Sequence, residues 1–80
     1  MRVEIKMANL GYDMETGKIV AWLKRVGDRV ERGEAIAEIE TEKATVEMES
    51  MASGVLAEIV QGDGSDVAVG TVIAFLESDA

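Results

Sequence analysis

Ala35-Ile36-Ala37-Glu38-Ile39-Glu40-Thr41-Glu42-Lys43-Ala44-Thr45-Val46-Glu47-Met48-Glu49 is the stretch on which the fold turns. Two readings compete for it. Residues 31–51 are rich in Ala, Glu, Lys and Met, which favour helix. The alternation favours strands: Ala35, Ala37 and Ile39 share one parity, and Val46 and Met48 stand against Thr45, Glu47 and Glu49. A period of two marks half-buried strands. As strands, the two runs are joined by the short polar segment Glu40-Thr41-Glu42-Lys43-Ala44 and make a hairpin. Lys43 then stands at or near its tip, in solvent.

An internal repeat decides between them. Residues 17–40 slide 37 positions onto residues 54–77 without a gap, and seven of 24 positions are identical. The identities are Gly17/Gly54, Gly27/Gly64, Val30/Val67, Gly33/Gly70, Ile36/Ile73, Ala37/Ala74 and Glu40/Glu77. Ile19/Leu56, Trp22/Ile59, Leu23/Val60 and Ile39/Leu76 keep apolar character. The shared glycines read as recurring turns that need positive φ. The partner of the ambiguous stretch, Thr71-Val72-Ile73-Ala74-Phe75-Leu76, is β-branched and aromatic, which favours strand. Both copies are expected to fold alike, so both are strands. Each half is too small for its own core. The two are predicted to pack face to face about an approximate twofold axis, giving an all-β, flattened barrel or sandwich of two four-stranded antiparallel sheets.

Further strands are expected at residues 2–7, 18–23, around Val30, and at 55–60, 67–69 and 72–76, with a loop over 8–17. The equivalent of the hairpin tip, 37 residues on, falls at or past Ala80. The tip is therefore predicted to lie at the end of the domain away from the chain termini.

Composition narrows the function. Eighty residues make one small domain, which buries only ~60% of its unfolded surface. There is no cysteine and no histidine. The usual zinc ligands, the commonest general base and the most reactive nucleophile are thus missing, and a stand-alone enzyme is not expected. The net charge of −8 argues against a nucleic-acid binder and suits a monomeric module whose partners carry positive surface. No apolar run reaches membrane-spanning length, the first residues do not form a signal peptide, and a cytoplasmic chain is expected.

Taken together, these residues resemble a known family. The run Leu10-Gly11-Tyr12-Asp13-Met14-Glu15-Thr16-Gly17-Lys18-Ile19-Val20-Ala21-Trp22-Leu23 is similar to the opening of the lipoyl domains in the acyltransferase components of 2-oxoacid dehydrogenase complexes. Val26-Gly27-Asp28-Arg29-Val30-Glu31-Arg32-Gly33-Glu34, Ala52-Ser53-Gly54-Val55-Leu56 and Gly62-Asp63-Gly64-Ser65-Asp66-Val67 continue the likeness. Glu38-Ile39-Glu40-Thr41-Glu42-Lys43-Ala44-Thr45-Val46-Glu47 resembles the lipoylation motif. The likeness covers residues 3–77 and implies a barrel-sandwich hybrid fold, one domain over 1–80, with 78–80 the start of a linker or a truncation. By position, Lys43 is the lysine that forms an amide with lipoic acid. Glu40, Thr41, Glu42, Ala44, Leu10, Gly11 and Tyr12 fall where the ligase and the decarboxylase recognise the domain. Two departures stand out: Glu42 where the family usually has Asp, and Ala8-Asn9 where it often has a proline.

The resemblance implies group carrying with no catalytic residue and no metal in this chain. The cofactor would accept an acyl group from a thiamine-diphosphate 2-oxoacid decarboxylase. It would deliver that group to coenzyme A in the acyltransferase's own catalytic domain, and be reoxidised by a flavin dihydrolipoamide dehydrogenase. Lipoate ligase would attach it. The opening looks more like pyruvate, branched-chain or acetoin enzymes than 2-oxoglutarate ones. The same fold serves biotin carriers, but those have methionine on both sides of the lysine, where this chain has Glu42 and Ala44. The glycine-cleavage carrier is longer and partly helical. An unmodified β-barrel interaction module is the remaining alternative, since an exposed lysine on a polar turn is usually a surface residue. Trp22 is expected in the core, Asp63-Gly64-Ser65-Asp66 as a turn, and Lys24, Arg25, Arg29 and Arg32 as a solvated basic patch.

Overall fold

A computed structural model describes residues 1–10 and 14–79. Among these every regular element is a strand: β1 (Arg2–Lys6), β2 (Thr16–Trp22), β3 (Arg29–Val30), β4 (Ala35–Glu40), β5 (Thr45–Glu49), β6 (Gly54–Ile59), β7 (Asp66–Ala68) and β8 (Val72–Ser78). They form two four-stranded antiparallel sheets, in the orders β1-β8-β6-β3 and β5-β4-β2-β7. The helical reading of residues 31–51 fails because β4 and β5 pair along their length, from Ala35↔Glu49 to Glu40↔Thr45.

The repeat governs this topology. The pairing of β2 with β4 recurs in β6 with β8, and the bulge between Ile19 and Ala21 recurs between Leu56 and Glu58. The short strands cross over: β3 pairs with β6 through Val30↔Gly54, and β7 pairs with β2 through Gly17↔Val67. Each half thus supplies a strand to the other half's sheet. The equivalent residues Ile19/Leu56, Val30/Val67, Ile36/Ile73, Ala37/Ala74 and Ile39/Leu76 are all buried in one core, joined by Met7 and Met48. Burying a side chain of this size contributes about 1.5–3 kcal/mol. The correspondence reaches the tip. Thr41 N donates to Ala44 O at 2.8 Å, and Ser78 N donates to Met1 O at 2.7 Å. The pseudo-twofold therefore carries the tip of the β4–β5 hairpin onto the place in the other sheet where Ser78 meets Met1.

Three expectations need adjusting. Ile36 is buried together with Ala37 and Ile39, because a bulge between Ala35 and Ala37 interrupts the simple alternation. Gly27, Gly64, Gly33 and Gly70 do adopt positive φ, between 86° and 97°. Gly17 and Gly54 serve a different purpose, close approach within a sheet. A Cβ on Gly54 would lie 2.1 Å from the Glu77 carbonyl oxygen; on Gly17 it would lie 2.5 Å from Met14 Cε and 2.9 Å from Ile39 Cγ2. Finally, β8 runs through Ser78, and Asp79 takes both guanidinium nitrogens of Arg29 at 2.6 and 2.9 Å, past the expected end of the core.

Two of the four basic residues after β2 are paired with carboxylates. Lys24 Nζ lies 2.7 Å from Glu34 Oε2, and Arg29 is shared between Glu31 and Asp79. Glu34 also accepts the Glu31 backbone N–H. The Lys24 bond, then that N–H, hold the Glu34 carboxyl below its ordinary range, and Glu34 raises Lys24. Trp22 is half-buried rather than in the core. Its indole N–H donates to Gln61 O at 2.7 Å, and its backbone N–H donates to Asp63 Oδ1 at 2.9 Å. Residues 62–65 form a turn, closed by Ser65 N–H to Gly62 O, and Asp66 already belongs to β7.

Two predictions follow from this geometry. Gly54→Ala presses a methyl group against backbone, so it is expected to cost more than the ~1–3 kcal/mol of ordinary overpacking. Gly17→Ala meets flexible side chains and is expected to cost less; urea denaturation of both variants checks the order. Glu34→Gln removes a stabilisation that is complete above the ordinary glutamate pKa of about 4.5 and disappears as pH falls through the lower folded-state value. The Tm difference from the parent chain is therefore expected at neutral pH and to vanish in acid.

Candidate functional site

Lys43 stands where the hairpin reading places it. Glu40↔Thr45 is the last pair of β4 and β5. Beyond it Thr41 and Ala44 close the loop, leaving Glu42 and Lys43 outermost. The sequence explains why this loop is defined. Thr41 Oγ1 donates to Ala44 O at 2.7 Å and accepts the Ala44 N–H at 3.2 Å. A hydroxyl thus stands in for a backbone carbonyl, as short polar side chains do in turns. Glu40, Glu42, Lys43 and Ala44 are exposed and Thr41 is half-buried. Among the described residues nothing hydrogen-bonds or pairs with the Lys43 amine.

The tip borders an open groove of about 580 Å³ lined by residues 14–18, residues 40–43 and Asp66. Sheet register brings these together. Lys18 on β2 lies directly across from Glu40 on β4 and from Asp66 on β7. An acidic–basic–acidic row therefore crosses the sheet below the tip. Glu15, Lys18 and Asp66 were not singled out from the sequence. The β2–β4 and β2–β7 registers reveal Lys18 and Asp66, and Glu15 follows from its place just before β2, where its carbonyl accepts the Val69 N–H; the repeat encodes these only indirectly.

Of the recognition residues expected from the sequence, Glu40, Thr41, Glu42 and Ala44 sit at the tip. Leu10 is half-buried against the core, and its N–H donates to Met14 Sδ at 3.3 Å. Gly11 and Tyr12 lie outside the described residues. Glu15 and Asp66 join Glu40 and Glu42 around the groove, whereas Glu49, paired with Ala35, stands at the far end of β5.

A solvent-facing amine on a short tied loop, without a partner among the described residues and backed by an open groove, has the access that a modifying enzyme needs. The family model described as "Biotin-requiring enzyme" matches residues 3–76. The chain belongs to the biotin/lipoyl attachment-domain family. Its relatives place this lipoyl domain among acyltransferase components. It is 51% identical over 77 residues to the dihydrolipoyllysine-residue acetyltransferase component 3 of the pyruvate dehydrogenase complex, mitochondrial, of Arabidopsis thaliana, covering 95% of this chain and 14% of that protein. It is 46% identical over 71 residues to the dihydrolipoyllysine-residue succinyltransferase component of the 2-oxoglutarate dehydrogenase complex of Staphylococcus saprophyticus, covering 89% and 17%. The solution structure of the lipoyl domain of the 2-oxoglutarate dehydrogenase complex from Azotobacter vinelandii superposes with a TM-score of 0.76 at 33% identity, covering 98% of this chain and 99% of that one. The chain therefore spans about a sixth of the length of the acyltransferase relatives and all of the solved lipoyl domain. These matches favour the lipoyl reading over the biotin one.

Thr41→Val keeps the side-chain shape and removes both Oγ1 hydrogen bonds. We expect a stability loss of about 1 kcal/mol and broadened amide resonances confined to residues 41–44. NMR of the variant, with a urea titration, measures both.

Proposed function

We propose that Lys43 carries a lipoyl group in amide linkage, and that the domain moves acyl groups between the active sites of a 2-oxoacid dehydrogenase complex. The observation that carries this reading is the isolation of the Lys43 amine at the tip, tied by Thr41 and directed to solvent. The lipoyl group, once bound, supplies a ring disulfide able to accept an acyl group and two electrons. The chain's own residues need no acid or base; their task is to hold and present. The Thr41 hydroxyl fixes the loop, Glu40, Glu42 and Ala44 flank the amine that a lipoate ligase must recognise, and Leu10 supports the connection before β2.

Amide formation removes the positive charge of Lys43. Glu15, Glu40, Glu42 and Asp66 then outnumber Lys18 around the groove, and the rim attracts a cationic partner surface. The partners on this reading are lipoate ligase, a thiamine-diphosphate 2-oxoacid decarboxylase, a flavin dihydrolipoamide dehydrogenase and the catalytic domain of the parent acyltransferase. Nucleic acid and membrane are not among them. Residues 1–80 act as one carrier domain, monomeric when isolated. Cytoplasmic location belongs to the same reading, beside relatives that include a mitochondrial protein. The relatives' names include both pyruvate and 2-oxoglutarate complexes, so the proposal is a 2-oxoacid of either class. No helix among the described residues is long and apolar enough to cross a membrane.

The test is intact mass after coexpression with lipoate ligase and, separately, with biotin ligase. A gain of one lipoyl amide, lost in Lys43→Ala, is expected with the first enzyme only. Modification at Lys6 or Lys18, or none, would sink the assignment. On the lipoylated domain, Glu40→Lys with Glu42→Lys is expected to slow reductive acylation by the decarboxylase about tenfold or more at low ionic strength. The difference should shrink in high salt, as screening requires.

A further inference from the structure

The groove beside the tip has a property that access alone does not require: the residue whose amine is modified is itself part of the wall. Lys43 lines it together with Met14 and Gly17. Resting on the proposed attachment at Lys43, we infer that this groove is a docking site for the carried arm, with Met14 as its apolar contact. The arm then divides its time between the groove and solvent.

Three observations carry this. The first is chemical match. The arm is amphipathic, with a polar amide at the lysine and a hydrocarbon chain ending in a sulfur ring. The groove offers both kinds of contact. Glu40, Thr41 and Glu42 stand at the amine, able to meet an amide. Met14 and the buried, side-chain-free Gly17 give the same wall an apolar part, beside the charged Glu15, Lys18 and Asp66. A methionine thioether is polarizable and adapts to irregular apolar and sulfur-bearing surfaces.

The second is that Met14 is held in place. Its sulfur accepts the Leu10 N–H at 3.3 Å, and its methyl group fills the space where a Gly17 Cβ would stand. Its equivalent in the repeat is Met51, which has no such support and is 87% exposed. The same residue type is thus anchored in the half that carries the tip and left in solvent in the other. The asymmetry extends to the connection: β1 and β2 are joined by nine residues, 7–15, whereas β5 and β6 are joined by four, 50–53. The longer connection ends in the groove wall.

The third is tethering. A group on Lys43 meets the groove at an effective concentration on the order of millimolar or higher, because it cannot diffuse away. An intrinsic affinity too weak to detect with a free ligand is then enough for substantial occupancy. Such weak docking does not prevent delivery to partner enzymes; it shelters the arm between visits.

Methyl NMR with ¹³C-labelled methionine tests this on the whole domain. The chain has five methionines, and Met51 serves as the internal control. Unmodified, octanoylated and lipoylated forms are compared, each verified by mass. We expect the Met14 methyl resonance to shift on lipoylation, with cross-relaxation to arm protons, while Met51 stays unchanged. Octanoylation, which supplies the chain without the ring, should give a smaller shift in the same direction. Met14→Gln, which keeps length but adds polarity, should remove the cross-relaxation between the arm and the neighbouring Gly17 protons. A domain fully modified at Lys43 whose Met14 methyl matches the unmodified form and shows no contact with the arm would overturn docking and leave the proposed function standing. Absence of modification at Lys43 would overturn both.

Discussion

Neither half of this chain can complete a sheet alone. β3, from the first half, pairs only with β6 of the second, and β7 of the second pairs with β2 of the first. The contact residues are themselves repeat partners: Val30 faces Gly54, and Val67 faces Gly17. Both valines enter the common core, and both glycines are buried where the backbones meet. Adding a side chain at Gly54 would drive it into the β8 backbone. Exchange of strands therefore makes the two halves fold as one cooperative unit, which a domain of this size needs, since half of it would bury too little apolar surface to offset its chain entropy.

The twofold correspondence also shows where the molecule departs from symmetry. The tip and the meeting point of Ser78 with Met1 share the same backbone hydrogen bond. Only at the tip does the loop have a threonine hydroxyl to tie it, with a lysine outermost. The longer β1–β2 connection ends beside it, and the acidic row with Lys18 runs below. In a duplicated fold, features confined to one copy are not demanded by packing. Their concentration around Lys43 is the structural argument that this end carries the work. Glu38 facing Glu47 across β4 and β5 points the same way, because like charges directly opposed disfavour the sheet.

Much of this was legible in the sequence, and the reason is the repeat. A shift of 37 residues aligned the positive-φ turns Gly27/Gly64 and Gly33/Gly70 and the buried pairs from Ile19/Leu56 to Ile39/Leu76. It also overruled the helical composition of residues 31–51. What escaped was local irregularity. The bulge at Ile36 breaks the period-two pattern, so Ala35 does not share a buried face with Ala37 and Ile39. Gly17 and Gly54 looked like turn glycines and proved to be close-approach glycines, a distinction that depends on which backbone lies opposite. Trp22 looked like core, yet its indole N–H needs an acceptor and finds one at Gln61 near the surface. At the site, Lys43 and its immediate neighbours were readable from the hairpin. Lys18 and Asp66 were not, since only cross-strand register brings them under the tip.

On the proposed reading, rigidity and reach place opposite demands on this site. A carried group has to travel, which calls for a long flexible arm. The amine bearing that arm has to be found by several enzymes, which calls for a loop of fixed shape. The chain meets the second demand with few atoms: one hydroxyl bonded twice to Ala44, on a hairpin whose strands are paired to their last residue. Because the loop is ordered by its own hydrogen bonds, a partner that grips it does not have to bear the entropy of ordering it, and the binding energy saved is available for discrimination. The absence of histidine and cysteine fits the same division of labour. On the proposed lipoyl reading, reactive thiols on the domain itself would compete with the cofactor's sulfurs by thiol–disulfide exchange, and a surface without them would keep the redox chemistry on the arm.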